Sequence, residues 1–332
     1  DYLEQKESIQ PFYNNYPDIN GFEKQIAEKG NSFSKEHREV LVAALNNQYT
    51  KVDVSEETQA NIDLLLETNA FTVTTGHQLN LFTGPLYFLY KIISAINLAE
   101  ELSTQFSTSN FVPIYWMATE DHDFDEINYF NFKNKKVQWN RENGGAVGHF
   151  NTEGLQEVFE QFSKQLGTTR NATYLKNLFE EGYLKNDTLT DATRYIANQL
   201  FAEYGLVIID GDDKELKRLY TPIVAKELTE QTSFNAVSKT ISALEKNYKI
   251  QVNPREINQF YLSKNSRERI IKDDDKYVVN NTEITFSEEE ILKHLNENPQ
   301  DFSPNVIMRP LYQEVILPNL AYIGGGGELA YW

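Results

Sequence analysis

The sequence has no cysteine in its 332 residues. Disulfides, thiolate zinc sites and a cysteine nucleophile are thereby excluded together. Long apolar runs are missing too: the longest is about eight residues, well short of the ~20 that a membrane-spanning helix needs. The opening residues, Asp1-Tyr-Leu-Glu-Gln-Lys6, lack the basic-then-apolar pattern of a signal peptide. A soluble, cytoplasmic protein is expected, with no membrane partner. Positive charge is scarce. Thirty-one Lys and Arg stand against 49 Asp and Glu, a formal net charge of −18. Nucleic acid is an unsuitable partner for such a chain, because a phosphate backbone needs a basic footprint. The scarcity is sharpest between Val52 and Phe132, where Lys91 is the only Lys or Arg.

What is present is enough for a large core. Forty per cent of the residues are apolar and 13% aromatic, which excludes a disordered chain. Three apolar segments, 70–75, 111–119 and 206–210, each end in a polar loop and lead toward a helical pattern. Strand–helix alternation of this kind predicts an α/β fold with a doubly wound parallel sheet. Ser34 and Ser55 are placed to cap two early helices. Pro85 suits the first position of a helix running to about Leu102, apolar nearly all round. Two stretches are polar and read as insertions. The expected division is core at 1–134, an inserted segment at 135–185, core at 186–235, a second insertion at 236–300 and core again at 301–332.

Ligands of open α/β sheets sit beyond the carboxyl ends of the strands, so the polar residues there are the candidate site. After the first strand come His77 and Gln78, then Thr83-Gly84-Pro85 at a helix start, a place receptive to phosphate or carboxylate. Lys91 lies six residues on. It reads either as an anion ligand or as a lysine snorkelling from a packed helix. After the second strand come Glu120, Asp121, His122, Asp123, Asp125 and Glu126. These five carboxylates and one imidazole repel one another unless solvated, paired or metal-bound. Asp121-His122-Asp123 could take Mg²⁺ through oxygens, or orient His122 as a general base. A solvated acidic helix start explains the same run. Asp210 ends the third strand. Arg309 sits among apolar residues as an anion clamp or one half of a buried ion pair. Gly324–Gly327 with Glu328 is a weak phosphate-loop signal, since no Lys-Ser/Thr follows.

Several of these segments occur together in one known family. Thr75-Gly-His-Gln-Leu79, Thr83-Gly-Pro-Leu-Tyr87, Lys91, Glu120-Asp-His-Asp-Phe-Asp-Glu-Ile127, Ser303-Pro-Asn-Val306, Arg309-Pro-Leu-Tyr-Gln-Glu314 and Gly327-Glu-Leu-Ala-Tyr-Trp332 resemble the cysteine ligases of bacillithiol biosynthesis. The resemblance spans essentially the whole chain. It implies a Rossmann-like core similar to class I aminoacyl-tRNA synthetases and nucleotidyltransferases, carrying two connecting insertions. It also implies an enzyme that joins cysteine to glucosaminyl-malate, with ATP as co-substrate and Mg²⁺ as a candidate cofactor. On that basis the catalytic candidates are His122, Asp121 and Asp123. The binding candidates are His77, Gln78, Thr83, Gly84, Lys91, Glu120, Asp125, Asp210, Arg309, Gln313, Gly325 and Glu328. The family's C-terminal helical coiled coil, through which a full-length homodimer is expected, is absent here, so a truncated chain is inferred. Neither His-x-Gly-His nor Lys-Met-Ser-Lys-Ser occurs, and Ser263-Lys-Asn-Ser-Arg-Glu-Arg269 is a basic echo only. Two other readings stay open: a metal-dependent hydrolase built on the acidic run, and a catalytically idle small-ligand binder.

Overall fold

The computed structural model describes residues 1–142 and 144–331. Its strands are β1 (Ala70–His77), β2 (Asn110–Met117), β3 (Tyr129–Phe132), β4 (Lys135–Gln138), β5 (Val207–Asp210), β6 (Gln259–Ser263), β7 (Ser266–Asp273), β8 (Lys276–Val279), β9 (Thr285–Phe286), β10 (Phe302–Pro304) and β11 (Asn319–Ile323). Four of them form a parallel sheet in the order β11-β1-β2-β5. The three segments expected as parallel strands are neighbours in it. Both central strands are buried along nearly their whole length. Their unbroken apolar runs are what a parallel sheet covered on both faces requires.

One face is covered by the helix Tyr87–Gln105, which connects β1 to β2 and packs on both. Phe71, Val73, Ala95, Ala99, Leu102, Phe111 and Leu320 form a small core there. Helices Lys35–Gln48, Glu56–Leu64 and Leu189–Phe201 pack around β2 and β5 and join the main core. Ser34 and Ser55 cap the first two of these, each accepting a backbone N–H. Inside the sheet, Thr74 donates to Asn319 Oδ1 at 2.7 Å, and Asn319 donates to Glu314 at 2.7 Å. Buried polar side chains thus tie β1 to β11.

The helix after β1 begins two residues later than expected. Phe82, Thr83 and Gly84 all have positive φ, and the Pro85 carbonyl accepts from Phe88 in an opening turn. Pro85 therefore precedes the helix. Gly84 combines φ +57° with the Asn80 side chain lying where a Cβ would go, so its place is fixed by packing.

A second sheet, antiparallel, runs β10-β6-β7-β8-β9. Phe302–Pro304 belongs to this sheet, and the chain re-enters the parallel sheet only at Asn319. Between Tyr129 and Leu184 lie the hairpin β3–β4 and helices Leu155–Gln165 and Arg170–Phe179. Phe82, Phe130, Phe162 and Phe179 bind this segment to the core through ring contacts of 5.1–5.9 Å. No helix among the described residues is long and apolar enough to cross a membrane.

Candidate active site

Beyond the carboxyl ends of β1, β2 and β11 lies a cleft of about 1050 Å³, at the upper end of ligand-site volumes. The parallel sheet supplies its floor: His77 and Gln78 after β1, Trp116 through His122 around the end of β2, and Tyr322 with Gly325–Glu328 after β11. The antiparallel sheet and its approach supply the opposite wall, including Arg255, Phe260, Arg267 and Arg269. Five cations and four carboxylates line this space, in a chain that carries −18 overall.

His77 is fixed by its own chain. Its Nδ1 lies 3.1 Å from the Gln78 carbonyl. A carbonyl can only accept, so Nδ1 carries the proton and Nε2 is left as the basic atom. Burial lowers the imidazole pKa and Lys91 acts in the same sense; the Gln78 carbonyl, Glu328 and Asn80 oppose them. Gln78 donates to Asp121 at 2.8 Å and to Glu126 at 2.9 Å, holding two carboxylates with one amide.

His122 has the opposite tautomer. Its Nδ1 is 3.2 Å from Arg267 Nη1. Arginine has no acceptor, so Nδ1 must accept and the neutral ring is protonated on Nε2. In this tautomer Nε2 of His122 carries the proton and is available as a hydrogen-bond donor. Arg267 also donates to Ser303 Oγ at 3.1 Å and to the Pro304 carbonyl at 3.0 Å, and lies 4.0 Å from the Phe260 ring centroid. Burial lowers its pKa, opposed by Glu120, Asp121, Asp123 and Asp212.

Lys91 reaches the cleft, but its partner is Glu328, at 2.6 Å. That carboxylate comes from the glycine-rich segment after β11 and not from the acidic run after β2. Tyr87 and Tyr322 flank the ammonium at 5.6 and 5.5 Å. Burial lowers the lysine pKa against the pull of Glu328. Gly325 donates its backbone N–H to Glu328, and a Cβ there would collide with the Tyr87 hydroxyl. Arg309 lies over Trp116 and Tyr322, 5.3 Å from each ring.

Six candidates fall outside the cleft. Thr83 and Gly84 belong to the tight turn above. Asp123 and Asp125 are exposed beyond the turn at Asp121, and Asp125 accepts from Asn128. Gln313 is buried behind Arg309 and accepts from its Nη1 at 3.3 Å. Asp210, expected to face a ligand, is instead enclosed. It accepts from the Thr119 hydroxyl and the Asp212 backbone N–H. Burial and the neighbouring Asp212 charge push it up to about 6. Asp212 itself, though burial favours its neutral form, is held well below the usual carboxylate range by Lys217 and His149. Buried Lys217 contacts Asp212 at 2.5 Å and the cleft residue Glu120 at 2.7 Å. That ammonium fixes Glu120 from beneath.

Lys217 and Arg255 went unnoticed in the sequence, and Arg267 and Arg269 stood out there only as part of a basic echo. The signal for the last two was present as an i, i+2 pair in a polar alternating segment, which places both on one sheet face. The acidic run, by contrast, is dispersed: Glu120 goes to Lys217, Asp121 and Glu126 to Gln78, and Asp123 and Asp125 outward. Among the described residues, no three His, Asp or Glu side chains converge as a metal site.

Comparison with known proteins agrees with this architecture. A family model described as "Bacillithiol biosynthesis BshC, N-terminal Rossmann-like domain" matches residues 1–332. The protein named "Putative cysteine ligase BshC" from Flavobacterium johnsoniae is 60% identical over 332 residues, covering 100% of this chain and 63% of that protein. Proteins of the same name from Cytophaga hutchinsonii and Bacillus cereus strain B4264 are 46% and 30% identical over 333 and 345 residues. They too match 100% of this chain, which covers 62% and 63% of them. The chain thus spans about 63% of the length of such relatives. With the full-length family match and the parallel sheet described above, the chain belongs to the BshC family of bacillithiol biosynthesis, as its N-terminal Rossmann-like domain.

Proposed function

We propose that this chain is the Rossmann-like part of a ligase that joins the carboxyl of cysteine to the amine of glucosaminyl-malate, with ATP as co-substrate. Family membership supports the reaction class. The observation that carries the site assignment is the cleft itself, which gathers a neutral imidazole, an imidazole donor and five cations at the strand ends. Amide formation needs an activated carboxyl. The cysteine carboxylate attacks a phosphorus of ATP, forming either an adenylate with pyrophosphate leaving or an acyl phosphate with ADP leaving. The amine then attacks the carbonyl and expels AMP or phosphate.

The protein's part is positioning and proton transfer. The aminosugar enters as an ammonium and must lose a proton before attack, which His77 Nε2 is suited to accept. His122 Nε2–H, oriented by Arg267, is suited to hydrogen-bond the carbonyl oxygen as charge develops. Mg²⁺, bound mainly by the ATP phosphates, would find Asp121 and Glu126 as the paired protein carboxylates, and it would neutralise phosphate charge there. The other subunit of a homodimer and the remaining part of the protein would complete the enzyme.

The test is to incubate the full-length protein with cysteine, glucosaminyl-malate and ATP–Mg²⁺, following product, AMP and ADP by mass spectrometry. Cysteine-dependent amide formation is expected, and AMP or ADP identifies the intermediate. Absence of amide with all three substrates present, while the protein is folded, overturns the reading. The hydrolase alternative loses support from the dispersal of the acidic run.

A further inference from the structure

We propose that the arginine-bearing face of the antiparallel sheet is the recognition site for a compact dicarboxylate. Arg267 and Arg269 of β7 form it, together with Arg255 ahead of β6. Under the ligase reading, on which the identity of the ligand rests, that group is the malyl end of the acceptor.

Strand geometry sets the arrangement. Arg267 and Arg269 are two apart on β7, so they share a face with Cα atoms about 6.6 Å apart. Register pairs Arg269 with Phe260 and Arg267 with Leu262, and Phe260, Arg267 and Arg269 all line the cleft. The alternate residue Ile270 is buried on the other face with Tyr277 and Val279. The sheet therefore turns its apolar side to the core and its guanidinium side to the cavity. Arg255 joins that side from a turn in which its backbone N–H donates to Asn258.

Charge pairing singles out this wall. Each carboxylate on the floor already has a donor: Glu120 has Lys217, Asp121 and Glu126 have Gln78, and Glu328 has Lys91. Lys91 is correspondingly neutralised by Glu328. On the wall the situation is reversed. Among the described residues, Arg255, Arg267 and Arg269 form no ion pair with a carboxylate, and the side chains of Arg255 and Arg269 have no hydrogen-bond partner. Arg267 uses three N–H groups on His122, Ser303 and Pro304. A guanidinium has five, so two are left. Arg267 feels the charges of Glu120, Asp121, Asp123 and Asp212 without pairing with any of them, so three guanidinium groups face one cleft with forks left for an anion. An anion with two carboxylates supplies one for each fork and can be held bidentately, the geometry in which arginine exceeds lysine.

Binding of L-malate to the full-length protein by calorimetry tests this, with Arg255→Gln and Arg269→Gln as variants that remove an exposed charge without opening the core. Each substitution is expected to weaken malate binding roughly tenfold to a hundredfold, the size of one charge-assisted contact. Arg218→Gln, which removes a cation paired with Glu215 on an outer helix, should leave it unchanged. Lack of saturable malate binding by the parent protein, or equal binding by all variants, overturns the proposal. So does displacement of malate by pyrophosphate with higher affinity and the same arginine dependence, since the wall would then be a polyphosphate site. Malate binding that needs the arginines, without amide formation from the three substrates, would retain the subsite and sink the ligase reading. Amide formation with unchanged KM for glucosaminyl-malate in both variants would do the reverse.

Discussion

At the residue scale the two histidines of the cleft divide donor from acceptor work by what each Nδ1 touches. His77 Nδ1 faces a carbonyl and leaves Nε2 basic; His122 Nδ1 faces a guanidinium and leaves Nε2 protonated. A glutamine at 77 fills similar space but cannot take up a proton. Under the proposed ligase reading, His77→Gln in the full-length protein is expected to lower kcat by about 10²–10⁴, the usual contribution of a positioned general base, with KM for glucosaminyl-malate little changed. Because burial lowers the His77 pKa, the acid limb of the parent's rate profile should lie below the ordinary histidine value, and the variant should lose that limb. A parent-like kcat in a folded His77→Gln enzyme would remove His77 from the proton transfer.

At the element scale the end of β5 carries a half-buried acid whose titration should be visible in stability. Asp210 is pushed from 3.8 up to about 6. Between those values the folded state keeps a proton that the unfolded chain has released, so stability falls as pH rises through that window and is level above it. Asparagine at 210 keeps a neutral side chain with a carbonyl oxygen for Thr119 and the Asp212 N–H. Asp210→Asn should therefore gain about 1–3 kcal/mol at pH 7.5 and nothing near pH 3.5, read by urea unfolding at both. Asp212, with its depressed pKa, contributes stability that is lost only at lower pH, outside this window. Equal gains at both pH values would mean that packing, and not ionisation, controls the site.

That same strand end shows what a single sequence can convey. Val207–Asp210 was readable as a buried parallel strand because its apolar run is short, β-branched and bounded by Gly205 and Gly211. The fate of Asp210 was not readable, because Thr119 and Gln48 reach it only through folding of distant segments. The floor of the cleft was legible where polar residues directly follow strand ends, at His77, Gln78 and Glu120–His122. The wall was not, because Arg267 and Arg269 lie in a polar stretch whose pairing with β6 and β8 fixes their direction only in three dimensions.

At the scale of the whole molecule two electrostatic effects of opposite sign coexist. The chain repels itself through a formal net charge of −18, and added salt screens this, since the Debye length falls from about 30 Å at 0.01 M to 10 Å at 0.1 M. The cleft is the local exception, with Arg255, Arg267 and Arg269 lining a cavity that the proposed dicarboxylate would occupy. Screening there removes attraction. Raising NaCl from about 20 to 300 mM should accordingly raise Tm while it weakens malate binding, a pair of trends measured by calorimetry on one sample series. The Arg255→Gln and Arg269→Gln variants should keep the first trend and flatten the second, because neither changes the global charge by more than one. If Tm and affinity instead rose together with salt, the anion would be held by apolar burial or excluded-volume effects. The charge asymmetry between cleft and surface would then have no role in binding.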